Sequence, residues 1–335
     1  MAIKRAVSLY SFQDEYCRKR MTMDEIFSEL EALGVEGLEL ISDQMIKGTP
    51  TPSEEELAKW DALMSRHHLV PVINDIFINT TLYKNRKLTD HEAAELLRQE
   101  IRLAKRLGFP MVRMVSMTPV EIVKLVLPLA EELQVVMALE IHAAMSFDNP
   151  STKAFCDYMM AVDSPYLGLV VDTGIFCRKH PRVSREYFKS LGLSQEVADY
   201  IDAIFARGTD PLRVFNHQIP EDLKKLFKSE SDFLYSLFSD GYENCAYSVL
   251  DPYIPYIKHI HGKCFEFTES GEEYSIDFEE IVQYLAAKGY DGYIATEYEG
   301  NRFVPVGGIS DGLGNVRAHQ KLLAKAIAQV EGKEA

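Results

Sequence analysis

Residues 135–142 read VVMALEIH, an apolar run that ends abruptly in a carboxylate and an imidazole. Side chains alternate faces along a strand, so Ala138, Glu140 and His142 share one face, and Val135, Met137, Leu139 and Ile141 share the other. The run follows a helical stretch, Thr118 to Leu133, and reads as a buried parallel strand whose carboxyl end opens into a site. A carboxylate buried there needs cations or hydrogen bonds, because its desolvation is otherwise uncompensated. Three later stretches have the same form. LGLVVD closes on Asp172, IKHIH on His261 and YIATE on Glu297.

Upstream of Val135 the chain repeats a strand–helix rhythm. Ala6 to Ser11 is a short strand, followed by a helix from Thr22 to Leu33 with a capping box between Thr22 and Glu25 and a stop at Gly34. Gly37 to Ile41, Val70 to Asp75 and Met111 to Val115 are the next strands. Between them lie helices at Glu54 to His67 and Asp90 to Leu107, and Pro119 takes the first helical position of the helix before Val135. A helix near Ser151 to Val162 leads to the strand ending at Asp172. The rhythm then breaks. Residues 176–256 carry polar, proline-interrupted helical pieces (Gln195 to Ala206, Glu221 to Phe227, Phe233 to Phe238) and read as one helical insertion after strand six. Their apolar faces, Leu223, Leu226 and Phe227 on one piece and Phe233, Leu234, Leu237 and Phe238 on another, must be buried against the barrel rim or another chain. Strand seven at Ile257, a helix from Asp277 to Lys288, strand eight at Tyr293 and a helix from Asn315 to Val330 complete the count. The expected fold is α/β, a (β/α)8 TIM barrel forming a single domain over residues 1–335. Its chemistry belongs at the carboxyl ends of the strands, where the four polar endings are neighbours. A doubly wound sheet needs a glycine-rich turn after strand one, and Tyr10 to Asp14 has no glycine.

Composition narrows the function. With 335 residues, 47% of them hydrophobic, a substantial core is available, while a net charge of −15 opposes binding to nucleic acid or to an anionic membrane. No stretch is long and apolar enough to span a bilayer, and MAIKRAVSLYSF lacks the core of a secretory signal, so a cytoplasmic protein is expected. The five cysteines include no Cys-x-x-Cys pair, which favours reduced thiols.

Three carboxylates and an imidazole, Glu140, Asp172, His261 and Glu297, make a site for one divalent ion. Oxygen-rich ligation favours Mn2+, with Mg2+, Co2+ and Zn2+ as the other candidates. His261, at the strand end, is the better ligand, and His259 is expected one layer down as a buried, hydrogen-bonded histidine. His142 either supports Glu140 or acts as a general acid or base, the role its near-neutral intrinsic pKa suits. Lys263, Glu299 and Arg302 stand further out, to hold substrate hydroxyls or to remain solvated charges. Arg113, Asn74 and Asp75 complete the polar rim.

The order Glu140, Asp172, His261, Glu297, with His-x-His at the third and TEYEG at the fourth, resembles the xylose isomerase-like barrels of the sugar phosphate isomerase/epimerase family. In ketose 3-epimerases of that family the matching residues bind Mn2+ or a similar ion, and those matching Glu140 and Glu297 exchange the substrate proton. Such enzymes commonly carry a histidine three residues after the aspartate, where this chain has Ile175. Glu-x-His, the DTGIF turn, the long insertion and EYEGNR are most similar to the large subunit of bacterial C-glycoside deglycosidases. That resemblance implies elimination across the carbon–carbon bond of 3-oxo-C-glucosides, catalysed by Glu140, Glu297 and His142. It also implies pairing with a small β-rich subunit, and an oligomer is expected.

Overall fold

A computed structural model describes residues 3–208 and 218–332. Eight parallel strands close into a barrel in chain order: β1 (Lys4–Ser8), β2 (Gly37–Ile41), β3 (Val70–Ile76), β4 (Met111–Met114), β5 (Val136–Ile141), β6 (Leu167–Asp172), β7 (Ile257–Cys264) and β8 (Tyr293–Tyr298). Closure is made by β1, which pairs with both β2 and β8, so no edge is left open.

Local sequence chemistry explains the helices between them. Thr22 and Thr89 each form a reciprocal capping box, with Glu25 and Glu92, at the starts of Met23–Ala32 and Asp90–Leu107. Gly108, at φ +90°, ends the second of these in a left-handed turn that a Cβ would strain. The outward faces of the strands bury against Leu97, Ile101, Val123, Val126, Phe155 and Ile281 of the helical ring. Inside the barrel, Ile73, Met111, Ala138 and Val170 form an apolar plug. Two residues further along the same strands stand Asp75, Arg113, Glu140 and Asp172. The period of two therefore places a polar layer directly above an apolar one.

Several boundaries differ from the sequence expectation. β1 ends at Ser8, because the Ser8 hydroxyl accepts the Tyr10 amide proton and turns Leu9–Phe12 into a 3-10 helix. Pro119 is the N-cap of Val120–Leu133 and not its first helical residue. Glu221–Lys224 is shorter than expected. β7 runs on through Lys263 to Cys264, so Lys263 is part of the barrel wall. His142 lies one residue beyond β5.

Between β6 and β7 the chain forms the helices Arg182–Ser190, Gln195–Phe205, Glu221–Lys224 and Glu230–Phe238; residues 209–217 of this interval lie outside the described residues. Glu230–Phe238 does not bury the face expected of it. Asp232, Tyr235 and Ser236 are turned inward, where the Tyr235 hydroxyl meets His180 Nδ1 at 3.1 Å, whereas Phe233 and Phe238 are 43% and 55% exposed. The polar side of this helix is held by a specific buried partner, and hydrophobicity alone does not register that. All five cysteines are free. Among the described residues no helix is long and apolar enough to cross a membrane.

Candidate active site

The carboxyl ends of the strands bring a dense set of ionisable groups to one end of the barrel. Glu140 from β5, His261 from β7 and Glu297 from β8 place ligand-type atoms within 4.8 Å of one another, and all three are buried. His261 Nδ1 is 3.0 Å from Glu140 Oε1 and 3.6 Å from Glu297 Oε2. On the other side of the ring, His261 Nε2 is 3.2 Å from Glu39 Oε2, a β2 carboxylate that also meets His259 Nε2 at 2.8 Å. His259 is thus the buried, hydrogen-bonded histidine below His261.

Asp172, the fourth residue expected here, sits beside this trio and is engaged by other partners. Its Oδ1 accepts the Gly174 amide proton at 2.6 Å, and its Oδ2 is 2.5 Å from Lys263 Nζ. Gly174 is required by that approach, since a Cβ there would come within 3.0 Å of Asp172 Oδ1 and 3.1 Å of Lys263 Cδ. Lys263 is only 2% exposed and also reaches Glu299 at 3.4 Å. Arg302 holds Glu299 at 2.7 Å and donates to the Tyr10 hydroxyl at 3.1 Å. Arg113 grips Asp75 in a bidentate pair, at 3.0 and 2.9 Å, and stands 3.7 Å from Glu140. Asn74 is fully buried, with neither amide atom hydrogen-bonded among the described residues, and lies off the cavity wall.

Charge bookkeeping shows the character of this end of the barrel. Six carboxyls (Glu39, Asp75, Glu140, Asp172, Glu297, Glu299) face three permanent cations (Arg113, Lys263, Arg302). Burial opposes ionisation of Glu140, yet Arg113 and His261 outweigh it and hold its pKa well below the ordinary range. Glu299 is lowered likewise, by Lys263 and Arg302 acting against burial. Two carboxyls go the other way. Burial, with Glu299 and Asp172 nearby, pushes Glu297 up to about 8, and burial beside Glu39 raises Asp75 well above its usual value. His261, despite burial, is raised by Glu39, Glu297 and Glu140. All three shifts favour the protonated form where negative charge is in surplus. Glu297 Oε2 has no hydrogen bond among the described residues. Two carboxylates, an imidazole and surplus negative charge fit a divalent cation.

Above these groups lies a cavity of about 620 Å³. Its lining combines the ionisable groups Glu140, Glu297, Arg113, His142, Glu299 and Arg302 and the Tyr10 hydroxyl with apolar side chains from Phe77, Ile78, Val115, Met117, Ala143 and Met145. Two wall residues, Met117 and Ala144, have φ of +75° and +67°, which the surrounding structure must hold against steric cost. Ala144 is held by Glu243, from the interval between β6 and β7. Its carboxylate accepts the Ala144 amide proton and the Ser146 hydroxyl proton, each at 2.7 Å. The loop carrying His142 is thus tied down from outside the barrel proper.

Sequence reasoning missed Glu39, Tyr10 and Glu243. Glu39 carried a signal: in GLELI it is the lone ionisable group of a buried strand. Tyr10 and Glu243 carried none, since each is placed by tertiary contact.

The family described as the xylose isomerase-like TIM barrel matches residues 27–190. The chain has that barrel fold. It is 28% identical to a C-glycoside deglycosidase alpha subunit of Arthrobacter globiformis, over 88% of this chain and 84% of that protein. It is 25% identical to a 3'-dehydrocarminate deglycosidase alpha subunit of a Microbacterium species, over 88% and 87%. Among solved structures, a xylose isomerase-like TIM barrel protein of Mycobacterium smegmatis, in complex with magnesium, superposes with a TM-score of 0.54 at 11% identity, covering 98% of each chain. An L-ribulose 3-epimerase does so with a TM-score of 0.54, also at 11% identity, covering 98% of this chain and 96% of that one. The proteins similar in sequence and fold are thus enzymes, with sugar isomerases and epimerases among the structural neighbours.

Proposed function

We propose that this protein is the catalytic subunit of a metal-dependent C-glycoside deglycosidase, cleaving the carbon–carbon bond of 3-oxo-C-glucosides by elimination. The observation that carries this reading is the mixed lining of the cavity. It offers Glu140 and Glu297 beside His261, it offers His142, and its apolar residues suit an aromatic aglycone. The names of the two relatives support it.

Glu140, His261 and Glu297 would hold one divalent ion, Mn2+ first among the candidates, with Asp172 as the fourth ligand once released from Lys263. Such an ion supplies Lewis-acid stabilisation to the oxygen of a ketone as the neighbouring C–H bond is broken. The chain's own groups do the rest. A carboxylate, Glu297 or Glu140, takes the C2 proton. The electron pair becomes the C1=C2 double bond next to the 3-ketone, and the C1–aryl bond breaks toward an aryl carbon that has accepted a proton. His142 moves the phenolic proton that this requires, a contribution of about 10²- to 10⁴-fold in rate. Arg302 and Glu299 position sugar hydroxyls, Arg113 supports the rim, and Lys263, which does not line the cavity, acts through Glu299 and Asp172; Asn74, off the cavity wall, has no place in this reading. As alpha subunits are named for the relatives, a small second subunit is the proposed partner.

A second reading is favoured by one observation: Glu140 and Glu297 both line the cavity, from strands that are not adjacent, as 3-epimerisation through two bases requires. Incubation with a 3-oxo-C-glucoside and, separately, with free ketohexoses in deuterated water tests both. Aglycone release from the glucoside is the expected result. Epimerised, deuterated ketohexose without aglycone release would assign the epimerase.

A further inference from the structure

Glu39 is fully buried at mid-strand in β2 and takes no part in the chemistry above. Its register partners on β1 and β3 are Ser8 and Ile73, and Ile73 belongs to the apolar plug. A carboxylate at this depth needs close partners: Oε2 is hydrogen-bonded to His259 Nε2 at 2.8 Å and stands 3.2 Å from His261 Nε2, Asp75 lies nearby, and Oε1 has no hydrogen bond among the described residues. The opposite nitrogen of His261, Nδ1, faces Glu140 Oε1 at 3.0 Å and Glu297 Oε2 at 3.6 Å.

A neutral imidazole carries one proton, and the nitrogen without it is the one able to bind a metal. We infer that Glu39 is the positioning residue of the metal centre: its carboxylate stands 3.2 Å from His261 Nε2, which has no hydrogen bond among the described residues, and with a cation bound it takes the Nε2–H, fixes that tautomer and turns the Nδ1 lone pair toward Glu140 and Glu297. His259, also donating to Glu39, pins the carboxylate from below, its ring 5.7 Å from that of His261 and nearly perpendicular to it, at 88°. A hydrogen-bond acceptor on one ring nitrogen also makes the opposite nitrogen a more basic ligand. The inference rests on the metal-centre part of the reading above and is indifferent to whether cleavage or epimerisation follows.

Its test is metal binding itself, followed by calorimetry with Mn2+ on the metal-stripped full-length protein. Wild type binds Mn2+; Glu39→Gln, which retains a carbonyl acceptor and the side-chain volume, folds normally and binds it about 10- to 100-fold more weakly. Histidine nitrogen NMR of the Zn2+-loaded wild type supplies an independent signature, with His261 protonated at Nε2 and metal-bound at Nδ1. In Glu39→Met, where no acceptor remains, that single protonated signal is lost. Equal Mn2+ affinity in wild type and Glu39→Gln, or Zn2+ found on Nε2, overturns the role of Glu39. Failure of wild type to bind any Mn2+ overturns the metal centre as well.

Discussion

Replacing Lys263 by methionine separates its two neighbours' roles. Lys263 Nζ lies 2.5 Å from Asp172 Oδ2 and 3.4 Å from Glu299 Oε2, with the side chain 2% exposed. Without it Glu299 still has Arg302 at 2.7 Å, but Asp172 keeps only the Gly174 amide at 2.6 Å. Removing one partner of a buried pair costs about 3–5 kcal/mol. An unfolding entropy of about 2.1 cal/mol/K per residue, over 335 residues, converts this to a fall in Tm of about 4–7 °C for the metal-free variant. Lys263 and a divalent ion also compete for Asp172 if Asp172 is a ligand. Mn2+ should then raise the Tm of Lys263→Met by more than it raises that of wild type. Scanning calorimetry in EDTA and in Mn2+ reads both effects. An unchanged Tm in EDTA would refute the buried-charge reasoning; a lowered Tm with no larger gain from Mn2+ would remove Asp172 from the ligand set and leave it as the counter-ion of Lys263.

His142→Ala should retain metal binding and deuterium exchange at C2 of a 3-oxo-C-glucoside while losing about 10²-fold or more in aglycone release; unimpaired release would exclude His142 as the acid–base group. Glu243→Gln places an amide NH2 against donors at Ala144 or Ser146, so we expect turnover to fall about tenfold with Mn2+ affinity unchanged, read by paired kinetics and calorimetry. Glu100, on the outer helix Asp90–Leu107, has its carboxyl pushed up to about 7 by burial and by Asp43. A group whose folded pKa exceeds its unfolded one stabilises most when protonated, so this contribution is lost as pH rises from about 4 through 7, by about 2–3 kcal/mol between pH 5 and pH 8. Glu100→Gln should flatten that decline in urea unfolding, and an unchanged pH profile would count against it.

The barrel was legible because its determinants are local. Each strand is a short apolar run, most helices open on a capping residue, and each polar ending sits at the position where a strand meets the mouth. The same logic places Glu140, His261 and Glu297 at one end of the barrel, where the structure brings them together. What the sequence did not disclose was pairing. Asp172 meets Lys263 because β7 continues to Cys264 instead of stopping at His261, and strand length is decided by ladder partners that no single segment displays. Glu39 was passed over for a different reason: a carboxylate among apolar residues on a short strand gives no sign of its depth, which only barrel closure fixes. The sequence pattern puts Phe233 and Phe238 on a buried face, while the structure buries Tyr235, whose ring is as large and whose hydroxyl also has a partner at His180.

The protonation pattern links cofactor and catalysis more closely than the ligand geometry alone. Six carboxyls against three permanent cations leave the barrel end short of positive charge, and Glu297, Asp75 and His261 are all shifted toward their protonated forms. Burial pushes Glu297 up to about 8, and a protonated carboxyl cannot remove a proton from a sugar. Glu140, kept ionised by Arg113 and His261, has the opposite difficulty: it is charged but too weak a base to take a carbon-bound proton unaided. A divalent charge beside Glu297 and His261 reverses the balance, since positive charge favours release of protons from both. In the proposed reaction the base and the metal ligands would then be the same residues, and the competence of Glu297 would depend on the charge around it. Lys263 and Arg302 pair directly with Asp172 and Glu299, whereas Glu297 feels Lys263 only at longer range and its Oε2 has no hydrogen bond among the described residues, which is where an added cation would have most to contribute.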